Sequence, residues 1–207
     1  MEQNVADGGV VQPKTVRDCD GCTLCCKVME VQEIAKPGGK WCQHCRTGVG
    51  CGIYETRPLA CSAYVCGYLT LPELGEEWKP AISRLIVPSM VTDGSIIVRV
   101  DPARPDAWRR QPYYAELQKW ARQALGEQRR VVVYAAGHSI VILPDHAVDL
   151  GDVRPDELIV IMSGTTGAGY EAYAVKRHVW AEVAPEAALR KMVVPDKDGF
   201  RVGRRLD

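Results

Sequence analysis

The chain carries no net charge, because its 26 basic residues balance its 26 acidic residues. Without net charge there is no long-range field that would draw the protein to nucleic acid or to an anionic membrane. Its first residues hold neither the basic nor the apolar segment of a secretory signal. No apolar run approaches the roughly 18–20 residues that a bilayer-spanning helix needs. We therefore expect a cytoplasmic protein with no nucleic-acid partner and no membrane association.

Cysteine is absent after Cys66, and all nine cysteines fall between Cys19 and Cys66. Thiols stay reduced in the cytosol, and an odd number of cysteines without a signal sequence argues against a disulfide framework. Clustered thiolates are the ligands of zinc, copper(I) and iron–sulfur clusters, and they exclude magnesium and calcium. The sequence therefore predicts a site for a soft metal.

The spacing of the cysteines divides them into two groups. The first is Cys19-Asp-Gly-Cys22-Thr-Leu-Cys25-Cys26, and its C-x-x-C turn brings two sulfurs within reach of one metal. Adjacent cysteines rarely serve one mononuclear ion, so Cys25 and Cys26 indicate two metal ions or one polynuclear cluster. The second group consists of Cys42, Cys45, Cys51, Cys61 and Cys66.

The spacing leaves the identity of the metal open. Nine thiolates can bind two zinc ions with one cysteine to spare, or a trinuclear zinc cluster with bridging sulfurs. They can equally bind one four-iron cluster through four cysteines, with the others free or structural. The C-x-x-C-x-x-C beginning resembles the bacterial ferredoxin run, but the C-x-x-x-C-P ending of that run is absent. His44 is able to replace one thiolate, although a surface loop explains it at least as well.

These residues resemble the CxxCxxCC cysteine-cluster family, whose members are described as zinc- or iron-chelating. Its pattern is C-x-x-C-x-x-C-C, a loop cysteine, C-x-I-Y-x-x-R-P-x-x-C and a last cysteine. The matching residues here are Cys19, Cys22, Cys25, Cys26, Cys42, the stretch Cys51-Gly-Ile-Tyr-Glu-Thr-Arg-Pro-Leu-Ala-Cys61, and Cys66. Cys45 stands where the family more often has an apolar residue. The resemblance covers about residues 19–70 and implies metal chelation.

Two matched residues that are not cysteines, Tyr54 and Arg57, are candidates for supporting the cofactor. The ring of Tyr54 can pack over the site. Arg57 can donate to cluster sulfurs or balance thiolate charge, and an ordinary salt bridge would explain it equally well. The same module is similar to part of flagellin lysine N-methylases, but the remaining sequence contains no convincing S-adenosylmethionine site.

Beyond about residue 80 the sequence predicts an α+β body with β-hairpins and one longer helix, with the small cysteine-rich module packed on it. The apolar periodicity of residues 112–125 indicates the helix, and Gly126 stands at its expected end. β-branched runs indicate strands at residues 95–100, 130–134, 139–143, 158–162 and 170–177. The expected organisation is a flexible segment at 1–18, the module at 19–75, the body at 80–185 and a tail at 186–207.

Three functions remain open at this point. The first is a metal-binding protein with a structural or chelating role, whose body binds a protein partner, a substrate or a second copy. The second is an iron–sulfur oxidoreductase or electron carrier. The third is a modifying enzyme, methylase-like, that uses the module as a scaffold. A phosphate-binding loop at residues 164–169 is less favoured than a hairpin turn, and His138 and His146 lack an identifiable nucleophile for a hydrolase triad.

Overall fold

The computed structural model describes residues 17–89, 95–163, 169–187 and 199–206. It contains helices and several sheets, which confirms the α+β class. The chain divides into two compact units, Met1–Met90 and Val91–Asp207. The first unit holds all nine cysteines and reaches beyond residue 75, the end expected for the module. Most of the expected N-terminal segment, and residues 188–198 of the expected tail, lie outside the described residues.

The first unit is built from short elements. Its helices are α1 (Cys25–Val28), α2 (Leu59–Ala63), α3 (Gly67–Thr70) and α4 (Pro80–Ser83), and its strands are β1 (Cys45–Arg46), β2 (Gly50–Cys51) and β3 (Leu85–Ile86). Single 3-10 turns occur at Gln32–Ile34, Tyr54–Thr56 and Glu76–Trp78. Helices shorter than about 12 residues are marginal in isolation. These helices therefore depend on the packing around them.

A small apolar core supports the cysteine-bearing segments. Leu24, Val28 and Ile86 are buried together, and the side chains of Cys22, Cys25 and Tyr64 pack against them. Cys61 lies on helix α2, and the chain between the two cysteine groups forms the 3-10 turn Gln32–Ile34. The core thus anchors the first cysteine group directly.

The second unit contains two sheets. Its strands are β4 (Ile96–Val100), β5 (Val131–Ala135), β6 (His138–Ile142), β7 (Ala147–Asp149), β8 (Glu157–Ser163), β9 (Tyr170–Lys176), β10 (Phe200–Val202) and β11 (Arg204–Leu206). Within this unit one sheet has the order β11-β7-β6-β5-β4, and the other has the order β10-β9-β8. The β4–β5 pair is parallel and every other pair within these two sheets is antiparallel.

Helix α5 (Tyr113–Gly126) connects β4 to β5, as a parallel pair requires. Its buried face consists of Tyr113, Leu117, Ala121 and Ala124. A further helix in the described part of the unit, α6, spans Arg177–Ala187, and a 3-10 turn lies at Ala107–Arg109. Apolar residues of β6, β7 and β9 form one core with half-buried residues of β8. Among the described residues, no helix has both the length and the apolar character that a membrane span requires.

The predicted hairpins are confirmed. Strands β5 and β6 pair in antiparallel register, and so do β8 and β9. The glycine-rich connection between β8 and β9, where we weighed a phosphate loop against a turn, falls mostly on residues 164–168 outside the described part. The expected tail is not separate from the body, because β10 pairs with β9 and β11 pairs with β7.

Candidate metal centre

The first two cysteines are joined by a tight turn. The Cys22 N–H donates to the Cys19 carbonyl oxygen at 2.8 Å. The two central residues, Asp20 and Gly21, have φ of 42° and 69°, the left-handed region that glycine adopts at little cost. A Cβ atom on Gly21 would lie 2.6 Å from the Gly48 carbonyl oxygen, so the turn fits closely against a neighbouring loop.

Cys19, Cys22, Cys25 and Cys66 line one pocket, although Cys66 is remote from the others in sequence. The remaining lining residues are Tyr64, Tyr68, Leu69, Pro80 and Ile86. The pocket encloses about 20 Å³. Since a water molecule needs about 10–15 Å³, the pocket has room for one small occupant between thiols that come from two segments of the chain.

Backbone contacts place Cys66 at this pocket. Cys66 forms an antiparallel bridge with Pro88, and the Gly67 N–H donates to the Val87 carbonyl oxygen at 2.6 Å. A Cβ atom on Gly67 would lie 2.8 Å from that same oxygen. The close approach that positions Cys66 therefore requires glycine at residue 67.

The hydroxyl of Tyr64 is buried and makes no hydrogen bond of regular geometry. Burial raises the pKa of Tyr64 well above its usual value, and the Cys66 and Cys25 thiols raise it further. Burial also raises the pKa of the Cys66 thiol to about 11, while the Tyr68 N–H and the Tyr64 hydroxyl oppose this shift. The two side chains therefore lie close together. An ionised sulfur would accept the hydrogen bond that the Tyr64 hydroxyl lacks, because a neutral thiol is only a weak acceptor.

A second set of cysteines is tied together through the backbone. The Cys42 N–H donates to the Cys26 carbonyl oxygen, and the Cys45 N–H donates to the Cys42 carbonyl oxygen, both at 3.0 Å. Cys45 and Cys51 are directly opposite each other in the β1–β2 hairpin. The hairpin therefore brings Cys42, Cys45 and Cys51 next to the end of the first cysteine group.

Helix α2 adds Cys61 to this second set. The Glu33 carboxylate accepts a hydrogen bond from the Ala60 N–H at 3.0 Å, which ties α2 to the Gln32–Ile34 turn. Burial raises the pKa of the Cys61 thiol. The neighbouring thiols that raise it further are Cys26, Cys42 and Cys51. Cys61 therefore shares its surroundings with these three.

Cys26 and Cys45 interact with each other, but their other neighbours differ. The pKa of Cys26 is raised, most of all by a hydrogen bond with Cys25 and then by burial. Cys45 and Lys36 lower it. Burial raises the pKa of Cys45 and Cys26 adds to the shift, whereas the side chains of Thr23 and Thr47 oppose it. The hydroxyl groups of Thr23 and Thr47 thus lie next to the Cys45 sulfur.

Lys36 is a buried cation beside the second set. It is 6 % exposed. Its ammonium donates to the carbonyl oxygens of Lys27, at 2.8 Å, and Met29. Burial lowers the pKa of Lys36, and nearby cysteines oppose this shift. Those cysteines are Cys42, Cys26, Cys25 and Cys61. No pattern in the sequence indicates that this residue is buried, because a lysine in a loop is usually solvated.

Tyr54 and Arg57, the candidates for supporting the cofactor, contact each other. The guanidinium lies over the Tyr54 ring at 3.8 Å from its centre, and Arg57 Nη1 donates to the Tyr54 carbonyl oxygen at 2.7 Å. The Tyr54 side chain is largely exposed. The His44 ring lies beside the Gln43 amide, with 3.3 Å between their Nε2 atoms. A role for these residues at a metal stays a prediction.

None of the nine cysteines is in a disulfide. Within residues 17–89, 95–163, 169–187 and 199–206, no three His, Cys, Asp or Glu side chains are arranged so that they could hold a metal ion. Cysteines from different segments are close together, but their sulfur atoms do not form the coordination sphere of a metal ion. Metal binding therefore stays a prediction, and so does each cysteine's role as a ligand.

The second unit contains two histidine–carboxylate pairs. His138 Nδ1 lies 2.9 Å from the Asp149 carboxylate, which Arg204 also contacts at 3.2 Å. His146 Nδ1 lies 2.9 Å from the Asp145 carboxylate. These contacts orient the imidazoles, but no nucleophile accompanies either pair in the contacts of the described residues. They do not by themselves support the modifying-enzyme hypothesis.

Comparisons of the chain with protein-family models, with curated proteins and with solved structures found no match. The resemblance to the CxxCxxCC family accordingly stays a prediction, based on eight cysteines and the pairs Ile53-Tyr54 and Arg57-Pro58. The arguments for function below rest on the cysteine-bearing unit itself.

Proposed function

We propose that the first unit binds a soft metal ion through cysteine thiolates and that the metal stabilises its fold. The observation that carries this proposal is the pocket lined by Cys19, Cys22, Cys25 and Cys66. Four thiolates are a common ligand set of structural zinc sites, in which no coordination position is left for a substrate. A structural or chelating role follows more directly from such a set than catalysis does.

The groups around this pocket fit a negatively charged metal–thiolate centre. Four thiolates around Zn²⁺ carry a net charge of −2, and outer groups stabilise such centres by donating hydrogen bonds to sulfur. The Tyr64 hydroxyl is buried beside Cys66 without a regular acceptor, and the Tyr68 N–H lies near the same sulfur. Zinc would supply no redox chemistry here, since its contribution is folding free energy.

The short elements of the first unit support a structural role for the metal. The longest helix among its described residues, α2, has five residues, and its hairpin strands have two residues each. A metal that binds only the folded chain adds its binding free energy to the free energy of folding. In a unit with such short elements, metal cross-links between the cysteine-bearing segments would contribute stability that longer helices and strands provide in other proteins.

The test is elemental analysis and a visible spectrum of full-length protein purified without oxygen and without chelators. We expect colourless protein with zinc bound in a stoichiometric amount, and a lower melting temperature of the first unit after zinc is removed. Brown protein with equal amounts of iron and acid-labile sulfide would instead support the electron-carrier hypothesis. Failure to retain either metal, with all thiols open to alkylation after addition of zinc, would refute metal binding.

A further inference from the structure

We propose that Cys45 and Cys51 form a reversible disulfide when the protein meets hydrogen peroxide, which makes the β1–β2 hairpin a site of oxidative modification. Cys45 is the cysteine that stands outside the pattern of the CxxCxxCC family. The pocket lined by Cys19, Cys22, Cys25 and Cys66 includes neither residue of the pair. The inference therefore concerns the hairpin alone and does not depend on which metal the first unit binds, or on metal binding at all.

The backbone of the hairpin determines which two cysteines face each other. Cys45 and Cys51 are partners in the antiparallel register. The Gly52 N–H donates to the His44 carbonyl oxygen at 2.8 Å, and this hydrogen bond flanks the cysteine pair. The two cysteines therefore occupy a non-hydrogen-bonded pair of the ladder. In such pairs the Cα atoms are about 4.5 Å apart, and both side chains project from the same face.

This separation suits a disulfide. Bridged cysteines have Cα atoms about 4.4–6.8 Å apart and Cβ atoms about 3.5–4.5 Å apart. Cβ atoms of directly opposite residues are about 4.5–5.5 Å apart, and those of non-hydrogen-bonded pairs are at the close end of that range. A small approach of the two side chains would thus close the bond. A bond formed under such strain is of the labile class that cellular thiols reduce again.

The register is maintained by the backbone and does not need the disulfide. The Val49 N–H donates to the Arg46 carbonyl oxygen at 2.9 Å, which closes a tight turn between the two strands. A Cβ atom on Gly52 would lie 3.2 Å from the His44 carbonyl oxygen, closer than an ordinary contact. Glycine at residue 52 therefore allows the strands to approach closely beside the cysteine pair. The two thiols are placed opposite each other before any oxidation occurs.

Cys26 is the main competitor for the Cys45 sulfur. Its side chain also interacts with Cys45, but it interacts with Cys25 as well. Cys26 belongs to helix α1, which is joined to the hairpin segment by the hydrogen bond from the Cys42 N–H. The strand register sets Cys51, rather than Cys26, opposite Cys45. Both hairpin cysteines are half-buried, so a small oxidant can reach them.

The reaction needs one molecule of hydrogen peroxide for each disulfide. One thiol is first oxidised to a sulfenic acid, which breaks the O–O bond and releases one water molecule. The sulfur of the other thiol then attacks the sulfenic sulfur, the S–S bond forms and a second water molecule leaves. Two electrons pass from the sulfurs to the peroxide oxygens, and the two thiol protons end in water. A thiol reductant reverses the change by disulfide exchange.

The test treats full-length protein, purified without oxygen, with one equivalent of hydrogen peroxide, with and without a chelator. The remaining thiols are alkylated, and the protein is digested with trypsin and a glutamate-specific protease. The digest separates residues 41–46, which contain Cys42 and Cys45, from residues 47–55, which contain Cys51. We expect mass spectrometry to find these two peptides linked and dithiothreitol to release them. Absence of the link from both samples would overturn the proposal.

Variants identify the partner of Cys51. Cys42→Ser should keep the link, and Cys45→Ser should lose it. A link that persists in Cys45→Ser would overturn the pairing, and so would a link of residues 41–46 to residues 18–27, which contain Cys26, in place of the expected one.

A denatured control separates the effect of the fold from that of closeness in sequence. In guanidinium chloride the register is lost, so Cys42 and Cys45 should link to Cys51 to similar extents in wild type. In native wild type the link should be confined to Cys45, as peptide fragmentation would show. The same partner distribution in both conditions would overturn the role of the hairpin. This comparison needs no variant, so a variant that fails to fold does not affect it.

Discussion

The Gly21→Ala substitution tests how the tight turn positions the first two cysteines. Gly21 has φ of 69°, and its added Cβ would lie 2.6 Å from the Gly48 carbonyl oxygen. Gly48 is a matched control, because its φ is 78° and an added Cβ would meet nothing within 4 Å. Gly48→Ala therefore introduces backbone strain alone, whereas Gly21→Ala introduces the strain and a collision.

The two costs can be estimated separately. An L-residue in the left-handed region costs about 1–2 kcal/mol, which is the whole effect expected for Gly48→Ala. In Gly21→Ala the new carbon and the Gly48 carbonyl oxygen must separate, because 2.6 Å is shorter than any ordinary contact. Overpacking of this kind adds about 1–3 kcal/mol. We therefore expect Gly21→Ala to destabilise the first unit by about 2–5 kcal/mol.

Native-state hydrogen exchange is the appropriate assay, because it reports the stability of the first unit separately from that of the second. Amides of residues 22–28 should lose more protection in Gly21→Ala than in Gly48→Ala, in metal-free protein compared at one pH. Gly21→Ala should also lower the metal affinity of the first unit, since relief of the collision moves Cys19 and Cys22, which line the pocket. Equal effects of the two substitutions on exchange would refute the geometry of this turn.

Three further predictions concern single side chains. Burial raises the pKa of the Glu157 carboxyl, but hydrogen bonds from the Arg154 N–H and Arg201 lower it more, so the net shift is downward. The ionised carboxylate therefore stabilises wild type above about pH 5, and this stabilisation is lost as the pH falls through the lowered pKa. Glu157→Gln should remove it, which urea unfolding at a series of pH values would show. Leu117→Ala should destabilise the second unit by about 2–5 kcal/mol in the same assay, whereas exposed Gln123→Ala should change little. Tyr64→Phe should leave metal-free protein equally stable or more stable, because it removes a hydroxyl without a regular partner, and should weaken metal binding in chelator competition. An unchanged metal affinity in Tyr64→Phe would contradict its donation to sulfur.

The sequence predicts the second unit well because its elements follow simple periodicities. A valine-rich run, a turn containing Gly137 and a second apolar run predict the hairpin of β5 and β6, and the turn residues have positive φ as such turns require. The helix at residues 112–125 is found within one residue at each end. The pairing of β10 and β11 could not be predicted, because their partners β9 and β7 lie on different sheets and neither strand has a distinctive pattern.

The first unit is harder to predict, because contacts between distant residues decide it. Spacing alone identifies the cysteine groups, but it assigns Cys66 to the second group. In the structure Cys66 pairs with Pro88 and lines the pocket together with Cys19. No local pattern indicates that Lys36 is buried or that the Tyr64 hydroxyl has no regular partner. The burial of Lys36 and of the Tyr64 hydroxyl depends on how loops that are distant in sequence pack against the short helices.

Lys36 and Tyr64 both lie beside cysteine thiols, and Cys25 is a neighbour of each. Lys36 is a buried cation whose described hydrogen bonds go to neutral carbonyl oxygens, and Tyr64 has a buried hydroxyl without a regular acceptor. A buried donor that lacks its acceptor costs about 1–3 kcal/mol. Ionised sulfur would satisfy both groups, but thiolates packed together repel one another unless a cation lies among them. Negative charge on the sulfurs would therefore suit both residues, and a metal ion among the thiolates would be the simplest way to hold that charge.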